Sequence, residues 1–310
     1  MEKVVILIGP TAVGKTKLSI ELAKKLNAEI ISGDSMQIYR DMDIGTAKVM
    51  KEEMDGIPHH LIDIKDPQES FSVAEFQARV RKLISDINAR GKVAMIVGGT
   101  GLYIQSVIYD YQFTDTASNT TYRTELENII KEEGIDPLLE KLKKVDPESA
   151  DRIHPNNTRR IVRALEIFQT TGQTMSDHLE KQQQTKLLYD VAIIGLTMDR
   201  EKLYDRINKR VEKMMESGLL DEVTNLYNKG VTDCQSIQAI GYKELYTYLE
   251  GASTLDEATE QLKQNSRRYA KRQLTWFRNK MEVEWFDVTE CSEDEILARI
   301  LKYIAGNLQV

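Results

Sequence analysis

The chain opens Val4-Val5-Ile6-Leu7-Ile8-Gly9-Pro10-Thr11-Ala12-Val13-Gly14-Lys15-Thr16. An unbroken apolar run, a glycine-bounded loop, Lys-Thr and then a helical pattern are the ingredients of a phosphate-binding loop. The loop's backbone N–H groups can face phosphate oxygens, and a helix starting at about Lys15 aims its positive dipole end at the same oxygens. Gly9, Thr11, Ala12, Val13, Gly14, Lys15 and Thr16 are therefore the candidate cradle for a diphosphate or triphosphate. Lys15 adds a mobile cation, and the Thr16 hydroxyl is a candidate Mg²⁺ ligand. The alternative is a plain glycine turn before a helix.

Outward from this loop, the pattern repeats as strand, helix, strand. Leu18, Leu22, Ala23 and Leu26 fall on one helical face, Ala28–Ser32 reads as a second strand, and His59–Ile64 as a third. Val73–Arg90 has helical spacing, Val93–Val97 is a strand apolar throughout, and Leu102–Ile108 returns to helix. The expected fold is α/β: a P-loop NTPase-like parallel sheet flanked by helices. After about Phe113 the character changes. Residues 114–121 are polar, and the chain to about Leu188 reads as charged helices punctuated by Pro137, Pro147 and Pro155, with Gln182-Gln183-Gln184 in a polar exit. Val191–Leu196 resumes the sheet, helices follow from Arg200 to Arg278, Val283–Val288 is a last strand, and Glu293–Leu308 a closing helix. The domains expected are a catalytic core at 1–113 and 189–310, and an inserted all-helical subdomain at 114–188.

Asp34 follows the second strand. Ligands of open α/β sheets bind outside the carboxyl ends of the strands, so a carboxylate there can take a proton or hold Mg²⁺; equally, Gly33-Asp34-Ser35 is good turn chemistry. Gly98-Gly99-Thr100-Gly101 ends another strand on the same edge, and the Thr100 hydroxyl can bond substrate or cap a helix.

The net charge of −7 argues against nucleic acid unless basic residues cluster. They do. Arg152, Arg159, Arg160 and Arg163 fall in the insertion. Lys263, Arg267, Arg268, Lys271, Arg272, Arg278 and Lys280 occupy one helix, with no acidic residue from Lys263 to Lys280. Tyr269, Trp276 and Phe277 interleave with them and can stack on bases, or belong to the core beneath a solvated basic face. One of Arg200, Arg206 and Arg210 can close over a diphosphate, and spacing does not choose among them. Cys234 and Cys291 are far apart, without metal spacing, and His59-His60 has no third ligand nearby. The chain starts straight into a strand without a signal peptide, no apolar run spans a bilayer, and a cytoplasmic setting is expected.

These motifs together resemble the bacterial tRNA dimethylallyltransferases. The resemblance lies in the phosphate loop, Asp34-Ser35-Met36-Gln37-Ile38-Tyr39, Met42–Lys48, Gly98–Tyr103, Asn157–Leu165, Ala239–Lys243 and Arg267–Gln273 before Trp276. It implies transfer of a dimethylallyl group from dimethylallyl diphosphate to N6 of the adenosine 3′ to the anticodon, in tRNAs reading codons that begin with U. By it Asp34 is the general base and Thr100 a catalytic, tRNA-contacting residue. The phosphate loop and Arg206 hold diphosphate with Mg²⁺, and Thr16 contacts the metal. Ser35, Met36, Gln37, Ile38, Arg123, Arg159, Arg160, Arg163, Lys271 and Arg272 bind the tRNA anticodon stem-loop. Val13 replaces a Ser found in some relatives. A monomer without membrane attachment is expected. The alternatives are a P-loop small-molecule kinase and a nucleotide-dependent RNA-binding module without chemistry.

Overall fold

The computed structural model describes residues 1–111, 113, 120–181 and 186–308. Residues 114–119 and 182–185, read above as the polar entry and exit of the insertion, lie outside the described residues. The chain divides into two units, Met1–Ile108 with Leu187–Val310, and Tyr109–Lys186.

The first unit is built on β1 (Lys3–Ile8), β2 (Ala28–Ser32), β3 (His59–His60), β4 (Val93–Gly98), β5 (Asp190–Thr197) and β6 (Glu284–Asp287). All pair in parallel, in the order β3-β2-β4-β1-β5-β6. A parallel sheet covered on both faces needs strands apolar throughout, and Val4 to Ile8 are all fully buried. On one face Val5 and Leu7 pack with Leu22 and Ala23 of α1 (Lys15–Leu26) and with Ile300 and Ile304 of the closing helix. α2 (Val73–Ala89) packs on β4 and on α3 (Gly101–Ile108), burying Phe76, Val80, Ile84 and Ile87.

The second unit carries α4 (Thr120–Glu133), α5 (Asp136–Val145), α6 (Pro147–Arg152), α7 (Thr158–Thr171) and α8 (Met175–Lys181). Its own core is Leu126, Leu138, Leu142, Ile153, Ile161, Val162 and Leu165. Back in the first unit, β5 leads to α9 (Arg200–Glu216), α10 (Leu219–Asn228), α11 (Tyr242–Leu249) and the long α12 (Leu255–Lys280), then β6 and α13 (Glu293–Asn307).

The third strand is shorter than its sequence reads. Leu61 and Asp63 take left-handed φ values of 62° and 55°, which no strand accommodates. Beyond His60 the chain turns away from β2 and pairs instead with the Gln37–Arg40 segment, Ile64 N–H donating to Ile38 O (2.8 Å) and Arg40 N–H to Lys65 O (2.9 Å).

Candidate active site

β1 lies between β4 and β5, and the loop that leaves its carboxyl end is the phosphate loop. Gly14 sits at φ 106°, where a side chain would be strained, and turns the loop into α1. No side chain caps this helix and no acidic residue lies in its first turn. Its N–H groups and dipole are thus left for an anion. Lys15 Nζ folds back to donate to Gly9 O (2.9 Å) and Pro10 O (2.8 Å). Burial, and then the Arg210 guanidinium, push the Lys15 ammonium down to about 7, with Asp34 pulling the other way. Burial likewise lowers Arg210, and Asp34 opposes it.

Two cavities meet here. One, of about 560 Å³, is lined by Thr11, Ala12, Gly14, Lys15, Thr16, Gln37, Gly98, Gly99, Arg206 and Arg210 among others. The other, of about 290 Å³, has Ser35, Met36, Ile207, Val211, Met214, Leu219, Ile240, Leu262 and Arg272 in its wall. Thr11, Asp34, Thr46, Arg210 and Tyr269 line both. The first chamber is cationic, rimmed by Lys15, Arg206, Lys209, Arg210 and Lys213; the second is richer in aliphatic side chains. Asp34 stands at the junction, its Oδ1 accepting from Met36 N–H (2.8 Å) in an Asx-type turn. The turn and the shared wall are compatible: the hydrogen bond fixes the carboxylate that faces both spaces. Ser32 Oγ, which accepts from Asp34 N–H (3.4 Å), donates to Gln37 Oε1 (3.0 Å).

Burial takes two expected side chains away from direct ligand contact. Val13 turns its side chain into the core, and Ile38 is fully buried, so neither side chain can reach a ligand in these chambers. Gly9 is not among the residues lining the cavity of about 560 Å³. The Thr11 N–H, expected to face phosphate, donates to Gln273 Oε1 (2.9 Å). Arg200 goes elsewhere, stacking 5.2 Å from the Tyr204 ring centroid. Thr100 makes no capping bond; its Oγ1 is buried beside the Tyr269 phenol without a well-formed hydrogen bond. Burial and then Asp34 push that phenol up, while Thr100, Arg272 and Gln273 pull it down.

On α12, Phe277 is fully buried and Lys263 is paired with Glu212 (2.9 Å) and Glu260 (3.1 Å), so neither belongs to an open basic face. Arg268, Lys271, Arg272 and Trp276 are exposed. In the helical unit Arg159 and Arg160 are exposed and form no ion pair among the described residues. Arg123 and Arg163 are not free cations: both reach Glu166 Oε2, at 2.8 and 3.4 Å.

Three residues that sequence reasoning missed hold the site together. Gln273 Nε2 also donates to Gly99 O (3.1 Å), tying α12 to two loops at once. Glu222 on α10 accepts from Asp43 N–H and Ile44 N–H (2.8 Å each), from Gly45 N–H (3.0 Å) and from Tyr242 Oη (2.6 Å). The buried Lys48 completes this clamp, donating to Tyr39 O (2.8 Å), Asp43 Oδ1 (2.5 Å) and Asp63 Oδ1 (2.5 Å). Met42–Lys48 entered the sequence reading only as one of the motifs of the resemblance, which carries no sign of its distant partner Glu222.

The family model described as IPP transferase matches residues 37–280. The chain belongs to the IPP transferase family. It is 68% identical over 309 residues to the tRNA dimethylallyltransferase of Bacillus cereus (strain Q1), covering 100% of this chain and 96% of that one. A tRNA dimethylallyltransferase of Bacillus anthracis is equally similar, with 97% of its length covered. Among solved structures, the full-length tRNA isopentenylpyrophosphate transferase from Bacillus halodurans superposes with a TM-score of 0.77 at 56% identity, over 100% of this chain and 97% of that one. A eukaryotic dimethylallyltransferase captured acting on tRNA gives 0.80 at 32% identity, over 100% of this chain and 77% of that one. With this membership, the chain is not grouped with the small-molecule kinases that share its phosphate loop. No helix among the described residues is long and apolar enough to cross a membrane.

Proposed function

We infer that the protein transfers a dimethylallyl group to tRNA. The donor is dimethylallyl diphosphate and the acceptor is the exocyclic N6 of the adenosine 3′ to the anticodon, in tRNAs that read codons beginning with U. The observation that carries this reading is Asp34, a carboxylate in the shared wall of a cationic chamber and an aliphatic one. A diphosphate fits the first and a prenyl chain facing an inserted base fits the second.

The chemistry balances within these walls. The donor's C1–O bond breaks and diphosphate leaves with the electron pair; the N6–C1 bond forms, and the N6 proton goes to the Asp34 carboxylate. An adenine amino group is a poor nucleophile, so taking its proton as the bond forms is worth about 10² to 10⁴ in rate. Lys15, Arg206, Arg210 and the uncapped α1 terminus stabilise the charge that builds on the leaving diphosphate. Tyr269, which lines both chambers beside Asp34 and has the buried Thr100 hydroxyl behind it, orients substrate there. Extruding the base from its stack costs a few kcal/mol, which contacts of Arg159, Arg160, Lys271 and Arg272 with the RNA offset.

Mg²⁺ fits the donor set here only together with phosphate oxygens, because no cluster of metal-ligating side chains exists among the described residues, although Thr16 and Asp34 both line the cationic chamber. The Thr16 hydroxyl would hold it, and the ion would neutralise diphosphate charge. The protein acts in the cytoplasm, as a monomer on this reading.

Labelled dimethylallyl diphosphate, Mg²⁺ and an unmodified tRNA test the proposal, beside a tRNA with the acceptor adenosine changed to guanosine. Label is expected on the first alone. Asp34→Ala should lower transfer by about 10² to 10⁴ while leaving tRNA affinity unchanged. Transfer by Asp34→Ala at the wild-type rate would remove the base assignment.

A further inference from the structure

Glu166 is a carboxylate where a stability argument does not want one. It lies on α7 with its side chain 2% exposed, on the helix that also contributes Ile161, Val162 and Leu165 to the helical unit's core. For packing alone, an apolar side chain of similar volume is as good or better at such a position. Its Oε2 accepts from Arg123 on α4 (2.8 Å) and from Arg163 one helical turn back (3.4 Å). Its Oε1 is buried without a hydrogen-bond partner among the described residues, and an unpaired buried carboxylate oxygen is costly.

Both arginines remain open to solvent, with side chains 40% and 41% exposed. Each guanidinium has five N–H donors and uses few of them on Glu166, so most can face outward. Two guanidiniums brought together would repel, and each would lose rotamer entropy on being fixed. A buried carboxylate between them removes the repulsion and sets both planes before any ligand arrives. The trio carries one net positive charge, the complement of one phosphodiester.

We propose that Glu166 is a positioning residue for RNA binding, holding Arg123 and Arg163 side by side as a clamp for a single backbone phosphate. This rests on the tRNA reading above, and it adds to that reading a residue that touches no RNA. Arg159, a turn before Arg163 on the same helical face, extends the cationic surface.

The test uses the full chain with tRNA, measuring affinity across a range of salt concentrations together with kcat and KM for tRNA. Glu166→Gln keeps the shape and removes the charge. Positioning predicts tRNA affinity weakened by about tenfold, as for a hydrogen bond to a charged group. The slope of log affinity against log salt should become shallower by about one phosphate contact. The change should appear in KM for tRNA and leave kcat and the KM for dimethylallyl diphosphate alone. Simple charge counting predicts the opposite sign, since deleting a carboxylate from a basic surface should tighten binding and steepen the slope. Equal or tighter binding overturns the proposal. In an Arg123→Ala/Arg163→Ala background Glu166→Gln should change nothing further; a persisting loss would assign the effect to general destabilisation and overturn it as well. A wild-type protein that binds no tRNA would instead remove the function reading and this inference with it.

Discussion

Lys15 shows how much of this site's chemistry resides in one side chain. Its ammonium rests on two loop carbonyls, taken out of water and repelled by Arg210, so that its proton is held only up to about pH 7. A bound diphosphate reverses the balance by placing negative charge beside it. Above pH about 7, where the lysine has lost its proton, binding must therefore take a proton up. Affinity for diphosphate should fall as pH rises, by up to about tenfold per pH unit. Titration calorimetry in buffers of different ionisation enthalpy should find uptake approaching one proton, and Lys15→Met should bind weakly with no such uptake. The place of Lys15 at the start of α1, after a glycine-bounded loop, was legible in sequence because a phosphate loop is a local pattern. Its depressed proton affinity was not, because it comes from burial and from Arg210, which only folding brings near, against the opposing pull of Asp34.

At the scale of elements, α12 does two things with its two faces. Arg268, Lys271 and Arg272 are exposed, while Gln273 is buried and joins the phosphate loop to the loop after β4. Gly99 is glycine for this reason: a Cβ there would meet Gln273 Nε2 at 2.0 Å. Gln273→Ala should raise the KM for dimethylallyl diphosphate about tenfold, the cost of a buried hydrogen-bond pair, and leave tRNA affinity unchanged. Gly99→Ala should do the same by evicting Gln273. The two together should be no worse than Gln273→Ala alone, because the smaller side chain vacates the space; steady-state kinetics on the three variants checks this non-additivity. Helix and strand periods revealed α12, the buried strands and the parallel order of events. The pairing of Gln273 with Thr11, separated by 262 residues, leaves no periodic trace. The same holds for Glu222, whose backbone N–H donors at Asp43 and Gly45 lie 179 and 177 residues away in sequence, in the loop before β3. Residues 61 and 63 were missed differently: His59–Ile64 has a strand's composition, and only left-handed backbone at Leu61 and Asp63 ends the strand at His60.

For the molecule as a whole, the sheet separates function from stability along its length. The carboxyl ends of the strands carry the chambers, while Glu29, second residue of β2, sits near the amino end. Burial works against its charge, but hydrogen bonds from Lys92, His60 and Arg90 outweigh it and hold the carboxyl down at about 2. A carboxyl with a folded-state pKa below its ordinary 4.5 stabilises the fold fully above that value, and the contribution is lost as pH falls toward about 2. Acid unfolding of Glu29→Gln should accordingly show a flatter dependence on pH between about 4.5 and about 2 than the wild type, with lower stability at neutral pH, read from denaturant midpoints. At this scale the sequence revealed the change from sheet to charged helices near residue 113 and the return of the sheet near residue 189. The charged cluster around Glu29 went unseen because its members come from three separate stretches of chain, around residues 29, 60 and 90–92.

The chain leaves the first unit at Ile108 and re-enters it at Leu187, and Leu188 N–H donates to Ile108 O at 2.9 Å. The two ends of the excursion are thus already stitched together by the catalytic unit's own backbone. An insertion whose entrance and exit touch is a cassette: lengthening, trimming or exchanging it over generations does not disturb the register of β5 with β1. On the proposed function, such a cassette would let the RNA-gripping surface vary while the donor site is kept.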